Sequence, residues 1–180
     1  MDYRLFQYIN GLAGHNAVQD HVFEALSSYG PYVCVLVVMI MALRPATRLA
    51  AVFGFVSPCV AMAVNFLIGV LYNRPRPFVT HHVHLLLPHD PNASFPSDHT
   101  AGAVAIAMAL WFFSRKAGVP MFLLALLIGF SRIYVGHHYP TDVLGGLAVG
   151  VVSAIIVHQA GTKLVKRYLP SMVKEKEEAA

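Results

Sequence analysis

Five stretches of this chain are too apolar to face water, and they cover residues 23–43, 49–72, 98–113, 119–135 and 141–164. Runs of this length and composition read as α-helices crossing a membrane, because about 20 apolar residues span the ~30 Å hydrocarbon core. Gly30-Pro31 is placed to kink the first run, and Pro58 and Asn65 lie inside the second, where neighbouring helices accommodate such interruptions. The third run is short. Its ~16 residues rise only ~24 Å, so its polar beginning is expected below the membrane surface or in a wet cavity. Ahead of these runs, residues 2–14 carry Leu5, Phe6, Ile9 and Leu12 at helical spacing among polar residues. That pattern fits a short amphipathic helix in the interface. Asp20 is placed to cap the helix that follows. The expected fold is an all-α polytopic bundle of five spanning helices plus this interfacial one, or six if residues 2–19 insert.

Composition supports that reading. Only 12% of the 180 residues are charged and 57% are hydrophobic, whereas a soluble domain carries about a quarter charged residues. The length allows a single integral-membrane domain over residues 1–170, followed by a charged tail at 171–180. The first twenty residues include Asp2, Arg4, Asn10, His15, Asn16 and Asp20, with no apolar core of signal-peptide length, so this segment is expected to be retained. Cys34 and Cys59 both fall inside apolar runs and read as small buried hydrophobes.

A net charge of +4 raises the question of a nucleic-acid partner, but the basic residues form no single patch. They behave as topology signals instead. Arg44, Arg48, Arg115, Lys116, Lys163, Lys166, Arg167, Lys174 and Lys176 fall on one side, and Arg4, Arg74, Arg76 and Arg132 on the other. The side with nine is expected to be cytoplasmic, with the C-terminus on it. The polar loop 73–97 and the turn 136–141 then face outward together.

Three segments at that outer face concentrate ionisable groups, which are costly near membrane depth and mark function. They are Arg74-Pro75-Arg76-Pro77-Phe78, Phe95-Pro96-Ser97-Asp98-His99, and Ser131-Arg132 followed by His138 and Asp142. Such a set suits phosphoryl transfer. Fixed guanidinium groups stabilise charge spread over the transferring oxygens, and their planar fork binds phosphate oxygens in pairs. A neutral imidazole attacks in line, a carboxylate on its other nitrogen fixes the tautomer, and a second, protonated histidine gives its proton to the leaving oxygen. Pro140 is placed to open the last helix, which puts Asp142 in its first turn, within reach of His138. Ser97 is placed to cap the third spanning helix, whose N-terminus also attracts phosphate.

These residues resemble the motif set of the type 2 phosphatidic acid phosphatase superfamily: Lys-x6-Arg-Pro, Pro-Ser-Gly-His and Ser-Arg-x5-His-x3-Asp. The third motif is complete from Ser131-Arg132 through His138 to Asp142, and the second reads Pro96-Ser97-Asp98-His99. The first keeps Arg76-Pro77 but has Gly69 where the lysine belongs, and Arg74 offers a substitute charge. Within the superfamily, residues 74–78, the string Ala-Ser-Phe-Pro-Ser-Asp-His-Thr at 93–100 and Gly-Phe-Ser-Arg at 129–132 look most like the BcrC-type undecaprenyl pyrophosphate phosphatases. The resemblance implies a phosphohistidine on His138, oriented by Asp142, with His99 as general acid. It also implies phosphate contacts from Arg76, Arg132, Ser97, Asp98 and Arg74, and neither metal nor other cofactor. The partners it implies are a lipid pyrophosphate and the bilayer, with no nucleic acid. His81, His82, His84 and His89 in the outer loop read as a polar surface rather than a metal site.

Overall fold

The computed structural model describes residues 1–168, so the charged tail expected at 171–180 lies outside the described residues. Seven helices follow one another, and no strand occurs among the described residues. They are α1 (Asp2–Asn10), α2 (Ala17–Ala42), α3 (Pro45–Leu71), α4 (Pro77–Thr80), α5 (Asp98–Trp111), α6 (Arg115–Tyr134) and α7 (Pro140–Tyr168). Four of these, α2, α3, α6 and α7, are long and apolar enough to cross a membrane. The 14 residues of α5 rise only ~21 Å, as the short third run predicted. The nine residues of α1 rise ~14 Å, under half a hydrocarbon core.

The bundle is greasy on the outside. Leu36, Phe55, Phe66, Leu67, Leu123, Leu144 and Ile156 are exposed, a pattern that water would penalise and lipid would not. Inside, α5 is the hub, packed against α3, α6 and α7. Its alanines 101, 103, 105, 107 and 109 are all buried, so backbones approach closely. The approach to α7 is close at two glycines. A Cβ on Gly146 would sit 2.6 Å from the Ser97 carbonyl oxygen, and one on Gly150 2.6 Å from that of Ala101. Pro31, Pro58 and Pro120 all lie within continuous helices.

Two local expectations are corrected. The cap of α2 is Asn16, whose side chain accepts from the N–H groups of Val18 and Gln19. Asp20 lies one turn later and accepts instead from the Tyr134 hydroxyl at 2.7 Å and the Gly14 N–H at 3.1 Å. Ser97 does occupy the N-cap position of α5, yet its hydroxyl makes no cap bond and instead accepts from Thr100 Oγ1.

Helix direction decides where the polar residues meet. The ends of α3 and α6 and the beginnings of α5 and α7 come together: Ser97 N–H donates to the Asp142 carbonyl at 3.0 Å. Arg132, at the end of α6, reaches Ser27 in the first half of α2 at 2.7 Å. The amphipathic α1 lies across the same end, with Phe6 buried against Tyr139 and Ile133. The four-residue α4 sits in the loop joining α3 to α5.

Candidate active site

His138 is placed by a turn that only glycine suits. Gly136 has φ +91, a conformation L side chains rarely adopt, and a Cβ there would meet the His84 carbonyl oxygen at 2.9 Å. The chain then folds back so that the N–H groups of His137 and His138 both donate to the Arg132 carbonyl, at 3.0 and 3.2 Å. Pro140 opens α7 directly afterwards.

The imidazole of His138 is buried, and its tautomer follows from its neighbours. Nδ1 lies 2.8 Å from the Ser94 carbonyl, which only accepts, so Nδ1 carries the proton. Nε2 lies 3.0 Å from Arg76 Nη1, which only donates, so Nε2 presents its lone pair. Burial, then the Arg76 and Arg132 charges, hold the His138 pKa well below the usual imidazole value. The ring is therefore neutral at neutral pH, with its free nitrogen aimed at a guanidinium. That is the state a nitrogen nucleophile needs.

Arg76 is fixed on every side. Its Nε donates to Asn92 Oδ1 at 2.9 Å, Nη1 to the His137 carbonyl at 3.1 Å, and Nη2 to the Ala93 carbonyl at 3.3 Å. Burial pushes its pKa down to about 10 against the pull of Asp98, Asp142 and Asp90, which leaves it charged at neutral pH. Arg132 differs. Its Nη1 is taken by Ser27, while Nε and Nη2 are buried and carry no hydrogen bond among the described residues. Buried donors with no acceptor are costly, and an anion with several oxygens would satisfy them. His99 opens α5, and the charges of both Arg76 and Arg132 bear on it. The arginine pair, the two histidines and the start of α5 therefore lie at one end of the bundle.

Three expected roles come out differently. Asp142 is buried, but it does not hydrogen-bond His138: Oδ2 stands 3.8 Å from Nδ1. It accepts instead from Ser94 Oγ at 2.6 Å and the Tyr139 N–H at 2.8 Å. Ser94 thus stands between them, taking the imidazole proton on its carbonyl and giving its hydroxyl to the carboxylate. Arg74 does not replace the missing lysine. Its guanidinium binds Asp142 Oδ1 at 2.7 Å and Asp2 Oδ2 at 2.6 Å and lies 4.0 Å from the centre of the Tyr139 ring. Its guanidinium is thus already engaged by two carboxylates. Asp98 accepts a hydrogen bond from Asn65 Nδ2 at 2.8 Å, so its carboxylate links α5 to α3. Gly69 lines a separate cavity of about 610 Å³ with Asn65, Asn73, Asn92 and Asp98.

Ser94, Asn92, Ser27 and Asp2 escaped the sequence reading. Ser94 lay inside a quoted string and Ser27 inside an apolar run, where a lone hydroxyl is the available signal. The loop histidines disperse: His81 stacks on Tyr3, and His89 packs against His137. Among the described residues no three metal-binding side chains converge.

A helical bundle in lipid with paired arginines around a neutral histidine defines a polytopic membrane phosphatase. The chain belongs to the PAP2 superfamily, whose family profile matches residues 49–166. It is 43% identical over 154 residues to the undecaprenyl-diphosphatase BcrC of Bacillus subtilis (strain 168), spanning 84% of this chain and 80% of that protein. It is 33% identical over 162 residues to the bacitracin transport permease protein BcrC of Bacillus licheniformis, spanning 88% and 80%. Among solved structures it superposes on LpxE of Aquifex aeolicus with a TM-score of 0.78 and 28% identity, covering 88% of this chain and 94% of that one.

Proposed function

We propose that the protein hydrolyses undecaprenyl pyrophosphate to undecaprenyl phosphate and inorganic phosphate in a bacterial cytoplasmic membrane, returning the lipid carrier to peptidoglycan synthesis and lowering bacitracin sensitivity. The observation that carries this reading is His138 Nε2, unprotonated and 3.0 Å from Arg76, beside Arg132 with two unmet buried donors. The terminal phosphoryl group sits between the arginines. Nε2 attacks phosphorus, forming an N–P bond as the bridging P–O bond breaks. The electron pair leaves on the lipid phosphate, which takes a proton from His99. The diphosphate's own negative charge beside His99 favours that protonated state. Water then attacks the phosphohistidine, gives a proton to His99, and frees phosphate and His138. Ser97 and the start of α5 hold the remaining oxygens.

A second feature supports a lipid substrate. An apolar cavity of about 640 Å³ runs between α2, α3 and α5, lined by Val35, Val38, Phe55 and Met62 and ending on Asp98 and His99. His99 protonates the bridging oxygen of the lipid phosphate, whose ester oxygen carries the tail, and a tail running from that phosphate has this cavity beside it. The asymmetry of nine against four basic residues supports a site on the extracytoplasmic side and a cytoplasmic C-terminus. Counting the short α5 as a fifth span, beside the four long apolar helices, is consistent with that placement.

The test is phosphate release by purified protein in detergent from the C55 diphosphate, alongside phosphatidic acid, phosphatidylglycerophosphate and diacylglycerol pyrophosphate. Wild type turns over the isoprenoid diphosphate fastest and His138→Ala releases none above background. Equal rates for wild type and His138→Ala, or a preference for a glycerolipid, would sink the reading.

A further inference from the structure

Asp2 lies far outside the family-matched segment of residues 49–166, yet it bonds directly into the catalytic end. Its Oδ2 accepts from Arg74 Nη2 at 2.6 Å and from Thr141 Oγ1 at 2.6 Å, and its Oδ1 accepts from the Thr141 N–H at 3.1 Å. Arg74 Nη1 in turn donates to Asp142 Oδ1 at 2.7 Å and to Thr141 Oγ1 at 2.7 Å. The backbone of Arg74 joins as well, because its carbonyl accepts the Ser94 N–H at 2.8 Å. Ser94 then receives the Nδ1 proton of His138 at 2.8 Å and gives its hydroxyl to Asp142 at 2.6 Å.

We propose that Asp2, carried on the interfacial helix α1, is a positioning residue for the nucleophile, acting through Arg74, Asp142 and Ser94 to fix the orientation and tautomer of His138.

The physical argument is one of competition and constraint. Arg74 has two carboxylates to serve and its guanidinium is planar, so Asp2 on one edge sets where the other edge meets Asp142. Without Asp2 the fork keeps Asp142 and Thr141 on one edge and the Tyr139 ring beside it, but loses the anchor on its other edge. Asp142 is fully buried, and a less constrained partner lets it pull on Ser94, whose carbonyl is what His138 Nδ1–H reads. Outer partners of this kind set the orientation of inner groups. The hydrogen bonds to Asp2, given first by Thr141 and then by Arg74, outweigh burial and lower its pKa, so it is ionised across the working range. The far end of α1 is anchored independently: Asn10 Nδ2 donates to the carbonyls of His84 and Tyr134, both at 2.8 Å. Docking of the helix and its reach into the site are therefore separable.

The inference rests on His138 being the nucleophile, so its test reads His138 without substrate. Full-length protein in detergent, labelled with ¹⁵N-histidine, reports the His138 tautomer directly. Wild type shows a single Nδ1–H form. Asp2→Asn and Arg74→Gln each show a mixture of the two neutral tautomers, and the double variant resembles Arg74→Gln alone. Asn10→Ala loosens α1 and lowers the melting temperature but leaves the tautomer as in wild type. With the C55 diphosphate, Asp2→Asn loses about tenfold in kcat with KM changed less than twofold, the signature of lost alignment rather than lost binding. An unshifted His138 in Asp2→Asn, or an equal shift in Asn10→Ala, overturns the proposal. If wild type hydrolyses no lipid diphosphate, the functional reading fails while the spectra still decide this one.

Discussion

Replacing Arg76 by lysine separates the charge of this residue from its shape. Both side chains are cationic, but lysine offers a single ammonium where Arg76 now donates in four directions, to Asn92, His137, His138 and Ala93. Three of those bonds locate the guanidinium, and the bond to His138 Nε2 marks where the phosphoryl oxygens arrive. A lysine keeps one charge-assisted contact and loses the paired one. A hydrogen bond to a charged group contributes about 1.5–3 kcal/mol, and the surviving ammonium is less well aimed, so the transition state loses about 3–4 kcal/mol. That converts to a fall of about 10²–10³ in kcat/KM. The assay is phosphate release from the C55 diphosphate over a range of substrate in mixed micelles, with melting in the same detergent as a check that the variant is folded. A folded Arg76→Lys within threefold of wild type would show that position-independent charge is enough, and would refute the argument that a fixed fork holds the phosphoryl group.

Other consequences are as direct. Because burial and two arginines depress the His138 pKa, its free base persists below pH 6.5, and the acid limb of kcat/KM against pH should not break at the ordinary imidazole value. The sign for stability is opposite. The unfolded histidine takes up a proton below about 6.5 while the folded one does not, so stability falls as pH drops from there toward the folded value. His138→Gln should flatten that part of the melting-temperature profile. Gly136→Ala forces a side chain into φ +91 against the His84 carbonyl and should destabilise by about 1–3 kcal/mol, read by thermal unfolding. Gly150→Ala drives a methyl to 2.6 Å from the Ala101 carbonyl oxygen. It should cost about 1–3 kcal/mol by separating α5 from α7, with Gly150→Ser no better.

The helices were legible because lipid imposes one rule along the whole chain: long apolar runs become spans, and charge gathers at their ends. The short third run forecast a short α5, and the meeting of Arg76, Arg132, His99 and His138 at one end of the bundle was legible because charge and polar turns gather at helix ends. What failed were the side-chain partnerships. Spacing brought Asp142 within reach of His138, but the Asp142 carboxylate had a closer donor in Ser94, 48 residues away along the chain. Arg74 looked like a spare cation for phosphate. Its fate was set by Asp2, 72 residues earlier, and no local pattern announces such a pairing. Asp20 gave up the cap of α2 for the same kind of reason, because Tyr134 on α6 offered it a hydroxyl.

On the proposed function, the brevity of α5 bears on where in the bilayer the substrate would be cut. With 14 residues this helix falls ~9 Å short of the hydrocarbon thickness, and His99 rides on its upper end. A carrier lipid with only two phosphates for a headgroup can hardly be hoisted into water against the pull of its tail. On the proposed function, an imidazole at the start of so short a helix would meet the anhydride beneath the headgroup plane, and the lipid would be cut without leaving its leaflet.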